Sequence, residues 1–440
     1  MDSRSVTLCI VTLLVFPTGV MMPHSPSIAA TEVTALAGAA PYNSETLVCP
    51  AEFERQDSVW LLWPTYEHKR GRPSEEVTMR IIKELAPFVN VSLGVQDEQE
   101  TAMVKRVLKE NGIPDRHVRY YVIPHNEIWV RDTGPTFVRD SAGGLAATDF
   151  NFNVWGYEEG APPGVDEQVD RRIAEHLGLP VIRSDVISEG GDREFNGKGT
   201  MMVTETVELE RNPGMTREEI EREFRRLFNV KKVIWLRRGL CEDDSTFAGT
   251  LPGPDGLVYT SGTPGGHTDV YARFASPDTI LLAEVTESDA AKDPIAKENR
   301  DRLEENYRIL RSATDQDGKP FKMVRIPVPE HVFDTLAPGD AIYDYIENLD
   351  YLDGSNFPKG EEITVVLAVS YLNFLITNGA VIGSAYWSPG RPESMKAKDE
   401  QTKRILERTF PGRKVILINA ESINIGGGGI HCMTLQQPSL

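Results

Sequence analysis

The chain has 440 residues, is 40% hydrophobic and carries 66 acidic against 47 basic residues, a formal net charge of -19. Such a surface repels a phosphate backbone, which excludes nucleic acid as a partner, and is suited to drawing in a small cation. The length allows a sizeable buried core, shared among several small modules.

The chain opens on a segment unlike the rest. Met1 to Arg4 is polar, Val6 to Val20 is largely apolar, and small residues follow, with cleavage expected near Ser27-Ile28-Ala29 or Ala37-Gly38-Ala39. This is the layout of a secretory signal, and the apolar run is too short to span a bilayer. The reading predicts a secreted or periplasmic protein with a signal over 1–30, an N-terminal extension over 31–50 and one catalytic domain over 51–440. No later stretch is long and apolar enough to cross a membrane. Of four cysteines, Cys9 leaves with the signal. Cys49, Cys241 and Cys432 remain, an odd number, so one is free or paired between chains. A Cys49–Cys241 pair would leave Cys432 as the free thiol.

Helical and extended patterns then alternate. Asp57 to Trp63 reads as a buried strand ended by Pro64. Val169, Ile173 and Leu177 share a helix face, with Gly178 placed to end that helix. Thr216 and Glu219 form a capping box ahead of Ile220, Phe224, Leu227 and Phe228. Val233 to Leu236 and Thr279 to Val285 are strands, and Leu303, Tyr307 and Leu310 mark another helix. Residues 334–362, acidic and aromatic with Gly, Pro and Asn, read as a surface insertion. The run from Ile363 to Ile376 is largely apolar and meets the turn dipeptide Asn378-Gly379. Lys414 to Ile418 is the last strand before four glycines. The organisation is α/β without an evident repeat and without a phosphate-binding glycine fingerprint.

Four sites carry chemistry. Gly426 to Gly429 is a loop whose conformational freedom a structure must use, and Cys432 lies just beyond it. In Gly265-Gly266-His267-Thr268-Asp269, the imidazole and carboxylate are two apart and share a face if the segment is a strand. Trp129-Val130-Arg131-Asp132-Thr133-Gly134-Pro135 places Asp132 before a turn, and Ser188-Glu189-Gly190-Gly191-Asp192 places Glu189 before two glycines. Taken singly, each is equally a turn or a buried small residue. Taken together, they suit a guanidinium, which is planar, always charged and held by paired carboxylates. Attack on its carbon needs a thiolate, and releasing ammonia needs a proton shuttle such as histidine. No cluster of His and Cys has metal-ligand spacing.

These motifs, with Arg211-Asn212-Pro213, Ser370-Tyr371-Leu372-Asn373-Phe374 and Cys432-Met433-Thr434-Leu435-Gln436-Gln437-Pro438, occur in an order that resembles the agmatine deiminase and bacterial peptidylarginine deiminase family, part of the guanidino-group-modifying superfamily. The resemblance runs from about Trp60 to Pro438. It implies an α/β fold, a five-bladed pseudo-symmetric propeller (pentein) of ββαβ modules, and commonly a homodimer or larger assembly. It implies Cys432 as covalent nucleophile, His267 as general acid/base, Asp132 and Asp269 as guanidinium holders and Glu189 as a buried partner, with no cofactor and no metal. Trp129, Arg131, Trp155, Gly428 and Gly429, standing in the same segments, are expected to contact the substrate. Arginine-specific members are expected to carry arginines where this chain has Asp149-Phe150-Asn151-Phe152-Asn153-Val154-Trp155-Gly156-Tyr157. A pocket without that cation leaves a substrate carboxylate unpaired, whereas an amine tail is tolerated beside Glu158 and Glu159. Agmatine, giving N-carbamoylputrescine and ammonia, is therefore the expected substrate. An arginine-containing peptide is the alternative, favoured by export.

Overall fold

A computed structural model describes residues 33–34, 47–157 and 164–439. The signal segment, Cys9, Glu158 and Glu159 lie outside the described residues.

One order of elements recurs five times: an antiparallel strand pair, a helix, and a third strand parallel to the second. It is seen in Thr136–Arg139, Leu145–Asp149 and Val181–Arg183, with helix Val169–Leu177 before the last strand. Glu194–Phe195, Thr200–Thr204 and Lys232–Leu236 repeat it, with helix Arg217–Phe228. Ala272–Ser276, Thr279–Glu284 and Lys322–Pro327 follow with helix Pro294–Ser312. Leu375–Ile376, Ala380–Ser384 and Lys414–Ile418 follow with helix Glu393–Thr409. The fifth unit joins both ends of the fold. Leu435–Pro438 pairs antiparallel with Gln56–Leu62, which runs parallel to Asn90–Val95 after helix Ser74–Leu85.

Local chemistry explains these elements. The strand at 56–62 is apolar on both faces because both are covered. Val59 and Leu61 pack with Ile81 and Leu93, while Trp60 and Leu62 pack with Phe137 and Ile173. Each such side chain contributes about 1.5–3 kcal/mol of burial. Helix Arg217–Phe228 begins on the expected capping box, with the Glu219 amide donating to Thr216 Oγ1 at 3.3 Å and the Thr216 amide donating to Glu219 Oε2 at 2.8 Å. Helix Val169–Leu177 stops at Gly178, whose φ of 64° a side chain would resist. The strands expected at 57–63, 233–236 and 279–285 are found within one residue at each end. Among the described residues, no helix is long and apolar enough to cross a membrane.

One expectation is corrected, and one pairing that the sequence left open is settled. Residues 334–362 are not simply a surface insertion. Phe333–Leu336 pairs with Ile363–Val366 in a further sheet with Leu251–Gly253 and Gly256–Thr260. Helix Ala341–Ile346 buries Ile342, Tyr343 and Ile346. The acidic residues that suggested solvent instead dock on a basic segment: Lys69 Nζ lies 2.8 Å from Asp334, Arg72 lies 3.0 Å from Asp334 and Arg70 lies 3.1 Å from Asp340. Cys49 and Cys241 do not pair. They are free, buried thiols in different apolar clusters, one with Leu47 and Val138, the other with Val258 and Ile295.

Candidate active site

The first, second, third and fifth of these units, with the loops before Phe374 and Cys432, converge at one end of a cavity of about 1180 Å³. Trp129, Asp132, Trp155, Gly426, Gly428 and Cys432 are among the residues lining it. Cys432 is buried. Its Sγ lies 3.1 Å from Asn373 Nδ2 and 3.8 Å from Asp269 Oδ2. The glycine loop reaches this position by close approach as much as by unusual dihedrals. Only Gly427 of the four has a positive φ, 92°, and a Cβ on Gly428 would stand 2.7 Å from the Trp129 ring.

His267 and Asp269 do not lie on a strand. Gly265 and Gly266, at φ 93° and 107°, turn the chain into a single 3-10 turn over Thr268–Val270. Asp192 fixes that turn by accepting from the Thr268 amide and hydroxyl, both at 2.9 Å. The two side chains still meet, around Gly191 instead of along a strand face. A Cβ there would lie 2.5 Å from His267 Nδ1, 3.0 Å from Asp132 Oδ1 and 3.3 Å from Asp269 Oδ2. Glycine is required because three functional groups occupy the space.

Asp132, in the short helix Val130–Thr133, accepts from the Gly191 amide and from Trp155 Nε1, both at 2.9 Å. Trp155 is held over the site by strained backbone. Asn151, Val154 and Trp155 all have φ between 52° and 57°, and for a β-branched valine this is a genuine outlier. Glu189, wholly buried, accepts from Arg211 Nε at 2.8 Å and lies 3.2 Å from His267 Nε2.

The charges follow from this geometry. Burial favours a neutral His267 ring, but Asp132, Glu189 and Asp192 outweigh it and push the ring up to about 10. Burial likewise opposes ionised Glu189, yet Arg211 and His267 bring it down to about 2. Burial raises Asp132 despite the nearby imidazole. Asp269 is held below its ordinary value because its bond to His431 and nearby positive charge overcome burial. Burial, then the charges of Asp269 and Asp132, hold the Cys432 thiol well above its ordinary value. Two buried polar atoms, His267 Nδ1 and Asp269 Oδ1, have no hydrogen-bond partner among the described residues. The open carboxylate oxygen is an acceptor of the kind that a site awaiting N–H donors presents.

Not every expected contact residue faces the cavity. Trp129, Trp155 and Gly428 do. Arg131 is turned away. Its Nη1 donates to Gln436 Oε1 at 2.7 Å and its Nε to the His431 carbonyl at 3.4 Å, so its charge braces the closing strand. Gly429 backs onto Asn373, where a Cβ would stand 2.6 Å from Oδ1. Sequence reasoning assigned no role to Asn373 or His431. Asn373 Oδ1 accepts the His431 amide at 2.9 Å while Nδ2 faces the thiol. The hints were the place of Asn373 in the Ser370–Phe374 motif and a polar residue between Leu372 and Phe374 in an apolar run. Glu52, Glu194 and His431 converge as a metal site would, but the Arg273 guanidinium already bonds both carboxylates and supplies the countercharge.

The Porphyromonas-type peptidyl-arginine deiminase family matches residues 48–249 and 254–438. The chain belongs to that family. It is 32% identical over 400 residues to an agmatine deiminase of Pseudomonas aeruginosa (strain LESB58), covering 89% of this chain and 95% of the relative. It is 31% identical over 400 residues to an agmatine deiminase of Ectopseudomonas mendocina (strain ymp), with the same coverage. The solved agmatine deiminase of Enterococcus faecalis superposes with a TM-score of 0.71 at 26% identity, over 92% of this chain and 99% of that one. The fold is accordingly the α/β pentein fold of the deiminases, and the chain is a hydrolase acting on C–N bonds of linear amidines.

Proposed function

We propose that the chain is an agmatine deiminase, with Cys432 forming a covalent intermediate and His267 moving the protons. The observation that carries this reading is the convergence of a thiol, an imidazole and the carboxylates of Asp132, Asp269 and Glu189 around Gly191 at the end of a cavity. The guanidinium sits between Asp132 and Asp269, and its positive charge offsets the two carboxylates that hold the Cys432 thiol up, so binding favours the thiolate. Sγ bonds to the central carbon. The His267 imidazolium gives a proton to the departing nitrogen, the C–N bond breaks and ammonia leaves. Neutral His267 then takes a proton from water and oxygen bonds to carbon; as the C–S bond breaks, the remaining hydroxyl proton passes to the leaving sulfur, which restores the thiol and leaves N-carbamoylputrescine.

The cavity walls support a substrate with a second cation. Glu127, Asp166, Glu167 and Glu210 line them. Among the described lining residues the two arginines are already engaged, Arg211 with Glu189 at 2.8 Å and Arg183 with Asp149 at 3.3 Å. A free carboxylate on the substrate would find no unpaired partner there. The volume of the cavity favours a second reading, an arginine-containing peptide, because agmatine fills only a fraction of it. Ammonia release from agmatine, free arginine and an arginine-containing peptide, measured side by side, tests the choice. Turnover of agmatine that is lost in Cys432→Ala supports the proposal, and turnover of the peptide alone replaces agmatine with the second reading.

We read the five recurring β-β-α-β units as the blades of a five-bladed propeller around this site, a reading supported by the pairing of Gln56–Leu62 with the last strand, Leu435–Pro438. Export, with removal of residues 1–30 and a catalytic domain over 51–440, is supported by the apolar run Val6 to Val20. N-terminal sequencing of the protein recovered from its native host tests it, and an intact Met1 end would overturn it.

A further inference from the structure

Behind the guanidinium holders lies a buried chain of charges that the mechanism above does not use. Asp269 Oδ2 lies 2.6 Å from His431 Nδ1, and His431 Nε2 lies 2.7 Å from Glu52 Oε2. Glu52 Oε2 also accepts from Arg273 Nη2 at 2.6 Å, and Arg273 Nε donates to Glu194. Arg273 Nη1 donates to the carbonyls of Leu372, at 3.1 Å, and Phe374, at 2.7 Å, on either side of Asn373. His431 and Arg273 are almost wholly buried, so none of these bonds competes with water.

The two oxygens of Asp269 are thereby made unequal. Oδ2 is taken by the imidazole, whereas Oδ1 is buried with no partner among the described residues. A carboxylate free to rotate would exchange the two and could fold its open oxygen back onto its own surroundings. Pinned through Oδ2, it keeps Oδ1 open as an acceptor. The pin is itself pinned, because the ring cannot turn without leaving Glu52. The arrangement has the logic of a ligand held in place by a hydrogen-bonded group behind it.

We propose that His431 is a positioning residue, which acts on substrate binding only through Asp269 by holding its carboxylate so that Oδ1 accepts a guanidinium N–H. The proposal rests on the reading that Asp269 holds the guanidinium. Glu52 is the anchor at the far end, and Arg273 supplies the charge that keeps Glu52 in place.

The test is a double-mutant cycle read as agmatine affinity in the full chain, with Cys432→Ser throughout so that ligand is bound but not consumed. His431→Leu, Asp269→Asn and the double variant are titrated by calorimetry into the millimolar range. Loss of a positioned charged hydrogen bond predicts that His431→Leu weakens binding about tenfold. Added to Asp269→Asn it should weaken binding by less than about twofold, because the residue it acts through is already gone. His431→Gln, which keeps a donor toward Asp269, should recover part of the loss, a recovery that damaged packing would not produce. An unchanged affinity in His431→Leu overturns the proposal, as does the same fold-loss in both backgrounds. Should His431→Leu fail to fold, Glu52→Gln loosens the same ring from its far end and must weaken agmatine binding for the proposal to stand. A Cys432→Ser parent that binds no agmatine overturns the substrate reading and this proposal together, whereas a parent that binds while the variants do not differ overturns this proposal alone.

Discussion

At the scale of the residue, the site is a cation seat built before its cation arrives. Asp132 is raised by burial and the Cys432 thiol is held up by burial and by two carboxylates. Removing the nucleophile should therefore separate chemistry from binding. Cys432→Ala is expected to abolish ammonia release while retaining agmatine affinity by calorimetry, and residual turnover in that variant would overturn the covalent route. Asp132→Asn and Asp269→Asn each remove one charge-assisted acceptor, worth about 1.5–3 kcal/mol, so kcat/KM should fall by about tenfold to a hundredfold. His267 gives a pH dependence with a definite sign. Its ordinary value of 6.5 is raised to about 10 in the folded chain, so the charged ring stabilises the fold fully below 6.5 and ceases to as pH rises through about 10. The difference in Tm between the wild type and His267→Gln should narrow over that interval, and a difference independent of pH would mean that the ring is not held as an imidazolium. Cys432, His267, Asp132, Asp269 and Glu189 were legible in the sequence because each sits beside glycines or a turn, in a composition that suits one ligand. Asn373 and His431 were not, since their meaning lies in partners far away along the chain: 162 residues separate His431 from Asp269 and 59 separate Asn373 from Cys432.

At the scale of the element, short turns do the positioning, and their glycines are occupied space. Gly191→Ala would put a Cβ 2.5 Å from His267 Nδ1, and Gly428→Ala would put one 2.7 Å from the Trp129 ring. Displacements of about 1 Å at a reacting centre cost on the order of a hundredfold in rate, so both variants should lose kcat with little change in Tm. A wild-type kcat in Gly191→Ala would show that the loop yields without disturbing the imidazole. By contrast, Thr216→Ala removes the capping box of a helix none of whose residues is among those lining the cavity and should cost about 1 kcal/mol of stability in denaturant melts, with kcat/KM unchanged. Helices and strands of this kind were readable because their signals are local: a cap, a terminal glycine, an apolar period. The segment over 334–362 was misread for the converse reason. Its acids looked solvated, but their partners Lys69, Arg70 and Arg72 lie more than 250 residues earlier, and only their pairing turns the segment into a wall with Ile342 and Tyr345 on the cavity. Likewise, the spacing of His267 and Asp269 suggested a strand face because the two glycines before them conceal a turn.

At the scale of the whole molecule, the five recurring units do not announce themselves as a repeat, because each solves its burial with different side chains. Topology alone relates them. The joint between the ends of the fold is therefore decisive. Gln56–Leu62 pairs with Leu435–Pro438, and Arg131, in the short helix before the first unit, reaches Gln436 in that final strand. Cys432 stands in the loop that leads into that final strand. The order of synthesis gives this placement a meaning in time. Every carboxylate of the site, its imidazole and its cavity walls precede the proposed nucleophile in the chain and are made before it. A chain cut short before Cys432, by a premature stop or a stalled ribosome, would carry the proposed binding groups without the thiol.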